Sequence, residues 1–156
     1  MTPGTFSMKR LCAAMALAVA FGPAGAMVRG TMDSGRPFVS GGIGSDEVAA
    51  LKLERNQYGL AILTAAKGTG AFLADIHIRI TDAHASLLLE TVMDGPWLLV
   101  DLPAGRYTIE ATLDTRVQKS TLTLLGGTHQ QATFYFDTHD EVTPADAETP
   151  GAGTVH

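Results

Sequence analysis

A chain of 156 residues and 16.4 kDa has room for one domain with extensions, not for two full domains. Apolar residues make up 46% and charged residues 17%, which is enough to build a core and too apolar for a chain disordered throughout. A formal charge of −5 and a pI near 5.4 argue against a nucleic-acid binder, which needs a basic face.

Lys9 and Arg10 open the chain with a short positive region, and Leu11 to Phe21 follow as an unbroken apolar run of 11 residues. Ala24-Gly25-Ala26 places small residues where a signal peptidase cuts, so residues 1–26 read as a cleaved secretory signal peptide. As a helix the apolar run rises only about 16 Å, too short to cross a bilayer. Met8, just before Lys9, is a second plausible start. The only cysteine, Cys12, begins the apolar run, so the mature chain has no disulfide, thiolate metal site or cysteine nucleophile. Removing residues 1–26 takes two of the 11 cations and none of the 16 acids, and leaves a net charge of −7.

Residues 27–44 are rich in Gly and Ser without any period and read as a flexible lead-in. Residues 45–136 hold nearly all the large apolar side chains and form the domain. Residues 137–156 carry five acids, no Lys or Arg and two prolines, the composition of a disordered acidic tail.

Ser45 is an N-cap type, with Asp46 and Glu47 behind it where the helix dipole favours carboxylates, and Val48 and Leu51 give the short helix an apolar edge. After it the period changes to two. Tyr58 to Thr64 is a strand, closed by Lys67-Gly68-Thr69-Gly70. Asp75 to Asp82 alternates Ile76, Ile78 and Ile80 with His77, Arg79 and Thr81, the pattern of a half-buried strand. Leu87 to Met93, Trp97 to Leu102, Arg106 to Asp114, Val117 to Leu125 and Ala132 to Phe136 complete seven strands, separated by turns at Asp94-Gly95-Pro96, Pro103-Ala104-Gly105 and Gly126-Gly127. The expectation is an all-β, seven-stranded antiparallel sandwich preceded by a short N-terminal helix, because no connection between strands is long enough for a crossover helix.

Leu102-Pro103-Ala104-Gly105-Arg106-Tyr107, an apolar strand turning through Leu-Pro-x-Gly-x-Tyr into an alternating strand, resembles the carboxypeptidase regulatory-like domains. These belong to the transthyretin-like β-sandwiches, related to collagen-adhesin B-type repeats. The likeness spans roughly residues 57–136, with Tyr58 and Ala74-Asp75-Ile76 fitting the opening strands. In the turn, Pro103 is expected to fix φ and Gly105 to supply a positive φ. The resemblance implies a structural or adhesive module without a general catalytic set. The chain ends Gly153-Thr154-Val155-His156, so it lacks the Tyr-Arg-Gly-Ser ending of the related hydroxyisourate hydrolases. Its only asparagine, Asn56, precedes the first strand, where it does not suit the Lys–Asn cross-link of adhesin repeats.

The residues themselves argue weakly for chemistry. His77, His84, His129 and His139 share no metal-motif spacing. Asp75, Asp82, Asp94 and Asp101 stand near strand ends, which is ordinary for turns and also where calcium binds in exported proteins. Thr64 to Gly70 lacks the order of a phosphate loop, and Ser86 and Ser120 lack a nucleophile-elbow setting. Trp97 is either core filler beside Leu99 or an aromatic platform for a sugar or a partner. The reading is a periplasmic or secreted, non-enzymatic module without a cofactor. It has no transmembrane segment after signal cleavage and no nucleic-acid partner. It acts on an envelope protein through a face built from His77, Arg79, Thr81, Arg106 and Trp97. Binding of an envelope polysaccharide is the alternative.

Overall fold

Strict alternation sorts the strand residues into an inward and an outward set, and the computed structural model, which describes residues 27–138, pairs the inward sets of two sheets face to face. The elements run β1 (Val28–Thr31), β2 (Pro37–Gly41), α1 (Ser45–Glu54), β3 (Leu60–Ala66), β4 (His77–Asp82), β5 (Leu87–Val92), β6 (Trp97–Val100), β7 (Gly105–Leu113), β8 (Arg116–Leu124) and β9 (Gln130–Phe136). One sheet has the order β1-β2-β6-β3-β9 and the other β5-β4-β7-β8. The main core between them contains Leu60, Ile62, Ile76, Ile78, Ile80, Leu98, Val100, Ile109, Phe134 and Phe136. The reading of residues 1–26 as a signal peptide, and that of 137–156 as an acidic tail from residue 139 onward, lie outside the described residues.

Two expectations are corrected here. The described part has nine strands, not seven, because the lead-in is no loop: β1 and β2 form a hairpin that adds to the edge of β6. Glycine and proline hide it in the sequence. Gly30 stands opposite Phe38, whose ring lies where a Cβ on Gly30 would sit, 2.3 Å from Cζ. Pro37 takes the first position of β2, where its missing N–H is tolerated. The second correction is direction, since β9 runs parallel to β3 while every other pair is antiparallel. The chain reaches β9 by crossing from β8 in the other sheet, and alternation carries no information about strand direction.

Helix α1 lies over the outer side of the five-stranded sheet, with Leu51 buried against Val39, Tyr58, Ala61 and Leu99. Both faces of β3 and β6 are therefore largely covered, and their sequences read as nearly continuous apolar runs. Ser45 does not cap the helix; Gly44, at φ 93°, holds the cap position without a side-chain bond. Glu47 serves the frayed end instead, its Oε2 accepting from the N–H of Gly42 at 2.9 Å and of Ile43 at 3.1 Å.

The Leu-Pro-x-Gly-x-Tyr corner is built differently from expectation as well. Tyr107 is buried, and its hydroxyl donates to the Pro103 carbonyl at 2.8 Å, tying the strand back to its own turn. Gly105 is not among the residues with positive φ. It is small because the Tyr107 ring folds over it: a Cβ there would meet the phenol oxygen at 3.1 Å.

Candidate binding surface

Cross-strand register places His77, Arg79 and Thr81 of β4 on the outer face of the four-stranded sheet, with their isoleucine neighbours fully buried beneath. Three rows cross this face from β5 to β8, about 4.8 Å apart from strand to strand. They are Val92-His77-Thr112-Val117, Glu90-Arg79-Glu110-Lys119 and Leu87-Thr81-Thr108-Thr121. Arg106 and Thr123 extend it beyond the threonine row.

The middle row alternates negative and positive from edge to edge. His77 Nε2 lies 3.2 Å from Glu90 Oε1, and Lys119 Nζ contacts Glu110. That hydrogen bond from Lys119 holds the Glu110 carboxyl below its usual range, with the charges of Lys119 and Arg79 acting in the same direction. The threonine row is neutral, and the Thr108 and Thr121 hydroxyls share a hydrogen bond at 3.2 Å. Arg106 is exposed and makes no ion pair among the described residues.

Beside Arg106 the face dips into a concavity of about 440 Å³, lined by Thr81, Asp82, Ala83, Ala85, Arg106, Thr108 and Thr121. Its wall is the tight β4–β5 turn, in which Asp82 Oδ1 accepts from the N–H of His84 at 2.8 Å and of Ser86 at 2.9 Å. The Ser86 bond is the largest cause holding the Asp82 carboxyl below its usual range, and the His84 bond and charge add to it. Such a surface offers ordered charges and hydroxyls to a partner.

Trp97 is not part of this face, which corrects the expected grouping of five residues. It projects from the outer side of the other sheet, next to Leu63 in register, and packs at the margin of the cluster under α1. Its ring edge fills the space above Gly42, where a Cβ would come within 2.6 Å of Cδ1. Alternation puts Trp97 and Leu99 on a common face, but the sheet owning that face is set by long-range pairing.

Sequence reasoning missed two aromatic rings on the Trp97 side. Phe72 bridges to Ala65 of β3, and Tyr135 of β9 pairs with Ala65 from the other flank. The rings are 58% and 53% exposed with a small alanine between them. The alternation of Phe134-Tyr135-Phe136 signalled an outward Tyr135. Nothing periodic marks Phe72.

The other candidates are scattered. His129 Nδ1 is 2.8 Å from the Tyr58 carbonyl, Asp101 pairs with Arg36 at 3.0 Å, and the Asp94 N–H donates to Ser40 Oγ at 2.9 Å. Among the described residues no three His, Cys, Asp or Glu side chains converge as a metal site would require, and no helix is long and apolar enough to cross a membrane. No protein-family model, curated protein or solved structure matches the chain.

Proposed function

We propose that this is an exported, non-enzymatic β-sandwich module that works without a cofactor, by contact with an envelope protein, through the outer face of β5-β4-β7-β8. The observation that carries the reading is that this face bears no covering layer among the described residues, while α1 shields the other sheet. An alternating charge row, with Arg106 beyond the threonine row and in no ion pair among the described residues, favours a partner with a complementary charge pattern, since such rows set orientation and encounter rate. Export rests on Lys9-Arg10, the apolar run and Ala24-Gly25-Ala26. The Leu102-to-Tyr107 corner supports kinship with the transthyretin-like, carboxypeptidase regulatory-like modules, for which contact is the usual work.

Site-specific photo-crosslinking in intact envelopes tests the reading. A photoreactive residue at Thr108 or Arg106 is expected to capture a discrete protein, and the same residue at Gln131 on the other sheet is not. Capture from Gln131 alone would reject the face.

The Phe72–Ala65–Tyr135 surface favours the second reading, an envelope polysaccharide. Sugars stack their apolar faces on exposed rings, and Gln131 and Thr133 supply neutral hydrogen-bonding groups close by. Loss of polysaccharide retention in a Phe72→Ala/Tyr135→Ala variant, with the photo-crosslink intact, would support it.

A further inference from the structure

A separate cavity of about 200 Å³ opens at the end of the sandwich where three turns meet. Met32, Ser34 and Arg36 come from the β1–β2 turn, Leu102 and Pro103 from the β6–β7 turn, and Asp82 from the end of β4, with Leu88 and Tyr107 between them. Met32, Leu102 and Tyr107 are buried core residues, so the inner wall is apolar and fixed by packing against both sheets. At this volume it falls below the usual range for drug-sized ligands, which is about 300–1,000 Å³. Only a small molecule fits.

The charges at the mouth decide its polarity. Arg36 is committed, its Nη1 donating to Asp101 Oδ2 at 3.0 Å. The Tyr107 proton is committed to the Pro103 carbonyl. Asp82 uses Oδ1 for the two backbone N–H groups of the turn, and neither of them reaches Oδ2. Arg36, Asp82 and Tyr107 line the same cavity. Arg36 and Asp82 are the charged residues of the lining; Arg36 is paired with Asp101 outside it, which leaves the Asp82 carboxylate as the lining charge with no ion pair among the described residues. The unmet demand is for a donor that carries positive charge.

We propose that this cavity binds a small organic amine, its apolar body against Met32, Leu88, Leu102 and Pro103 and its ammonium donating to Asp82 Oδ2. The Tyr107 ring adds a cation–π face. The proposal does not rest on the protein-contact reading, although Asp82 also lines the concavity of the outer face.

The test is a methyl-detected NMR titration of the protein with phenethylammonium, with 3-phenylpropionate as the matched anion and Nα-acetyl-lysinamide as the mimic of a partner's lysine. Saturable shifts of the Met32, Leu88 and Leu102 methyls by the amine alone are expected. Asp82→Asn keeps an oxygen for the His84 and Ser86 N–H groups, so an unchanged spectrum of the free variant certifies its fold. That variant is expected to bind the amine about tenfold more weakly, the loss of one charge-assisted hydrogen bond. Arg36→Ala removes the competing cation and is expected to tighten amine binding. Tighter binding of the anion, undiminished amine binding by Asp82→Asn, or lysinamide binding more tightly than phenethylammonium would each overturn the proposal.

Discussion

Ile78 and its neighbours His77 and Arg79 are adjacent in sequence and opposite in energetic meaning. Ile78 is fully buried between the sheets, and truncation to alanine leaves a cavity expected to cost roughly 2–5 kcal/mol. His77 and Arg79 lie on the outer face, and alanine at both is expected to change stability by less than about 0.5 kcal/mol each. Urea denaturation of the three single variants measures the ranking, and the reverse order would mean that the polar row is the packed one. Gly95 is a sharper case. A Cβ there would lie 2.3 Å from the Gly41 carbonyl oxygen, a backbone atom held in the β2–β6 ladder that cannot swing aside. Gly95→Ala is therefore expected to lose more stability than any outer-face substitution, by about 2 kcal/mol or more, read in the same denaturation experiment.

At the scale of elements, legibility followed the strength of alternation. β4 and β7 alternate without interruption, so the period alone gives both their existence and their outward residues. β1 and β2 are four and five residues long, and Gly30 and Pro37 look like breakers until Phe38 is seen lying across the glycine. The helix was legible from its acidic first turn, whereas its cap was not, because Ser45 and Gly44 are both acceptable types and only backbone geometry chooses. The outer face of β5-β4-β7-β8 is legible in part. His77, Arg79, Thr81 and Arg106 share it, but Trp97 belongs to the other sheet, since local period never says which sheet a strand joins. α1 is joined to β1 by a two-point contact, Arg29 donating to Glu54 at 2.8 and 2.7 Å. This hydrogen bonding from Arg29 is the main cause holding the Glu54 carboxyl below its usual range. A depressed carboxyl stabilises the fold above its unfolded pKa, near 4.3, and the contribution disappears as pH falls through the lower folded value. Glu110 and Asp82 are depressed in the same sense. Melting temperature is thus expected to fall as pH drops below about 4.3. Glu54→Gln is expected to flatten that fall, most visibly at low salt because the pair is exposed. A pH profile unchanged by the substitution would remove this pair from the acid response.

The whole molecule closes its two seams by different means. On one side β8 and β9, the edges of different sheets, lie close enough for side chains to bind backbone across the gap. Gln118 donates to the Tyr135 carbonyl, Arg116 to the Asp137 carbonyl, and Gln130 to the Thr123 carbonyl at 2.7 Å. Two outward carbonyls at the C-terminal end of β9 are thereby occupied, where a bare edge would template pairing with another chain. On the other side β5 meets the β1–β2 hairpin through Met32, Phe38 and Leu88, an apolar closure that leaves the amine-sized cavity at its end. The Lys67–Asp137 ion pair at 3.7 Å ties the chain just after β9 to the end of its sheet neighbour β3, so the folded unit extends through Asp137. The remaining sequence adds acids and prolines but almost no apolar residues, and the expectation that it contributes nothing to folding is open to test. A chain ending at Thr138 keeps every one of these seam contacts and is expected to melt within about two degrees of the longer one, because a domain of this size shifts several degrees per kcal/mol. Gln118→Ala in that shortened chain is expected to do the opposite, uncovering the Tyr135 carbonyl. Light scattering at raised temperature should then grow with protein concentration, while the shortened parent stays clear. If the shortened parent itself melted five or more degrees lower, the missing residues would have to dock on the sandwich, and the seam would be the first place to look for them.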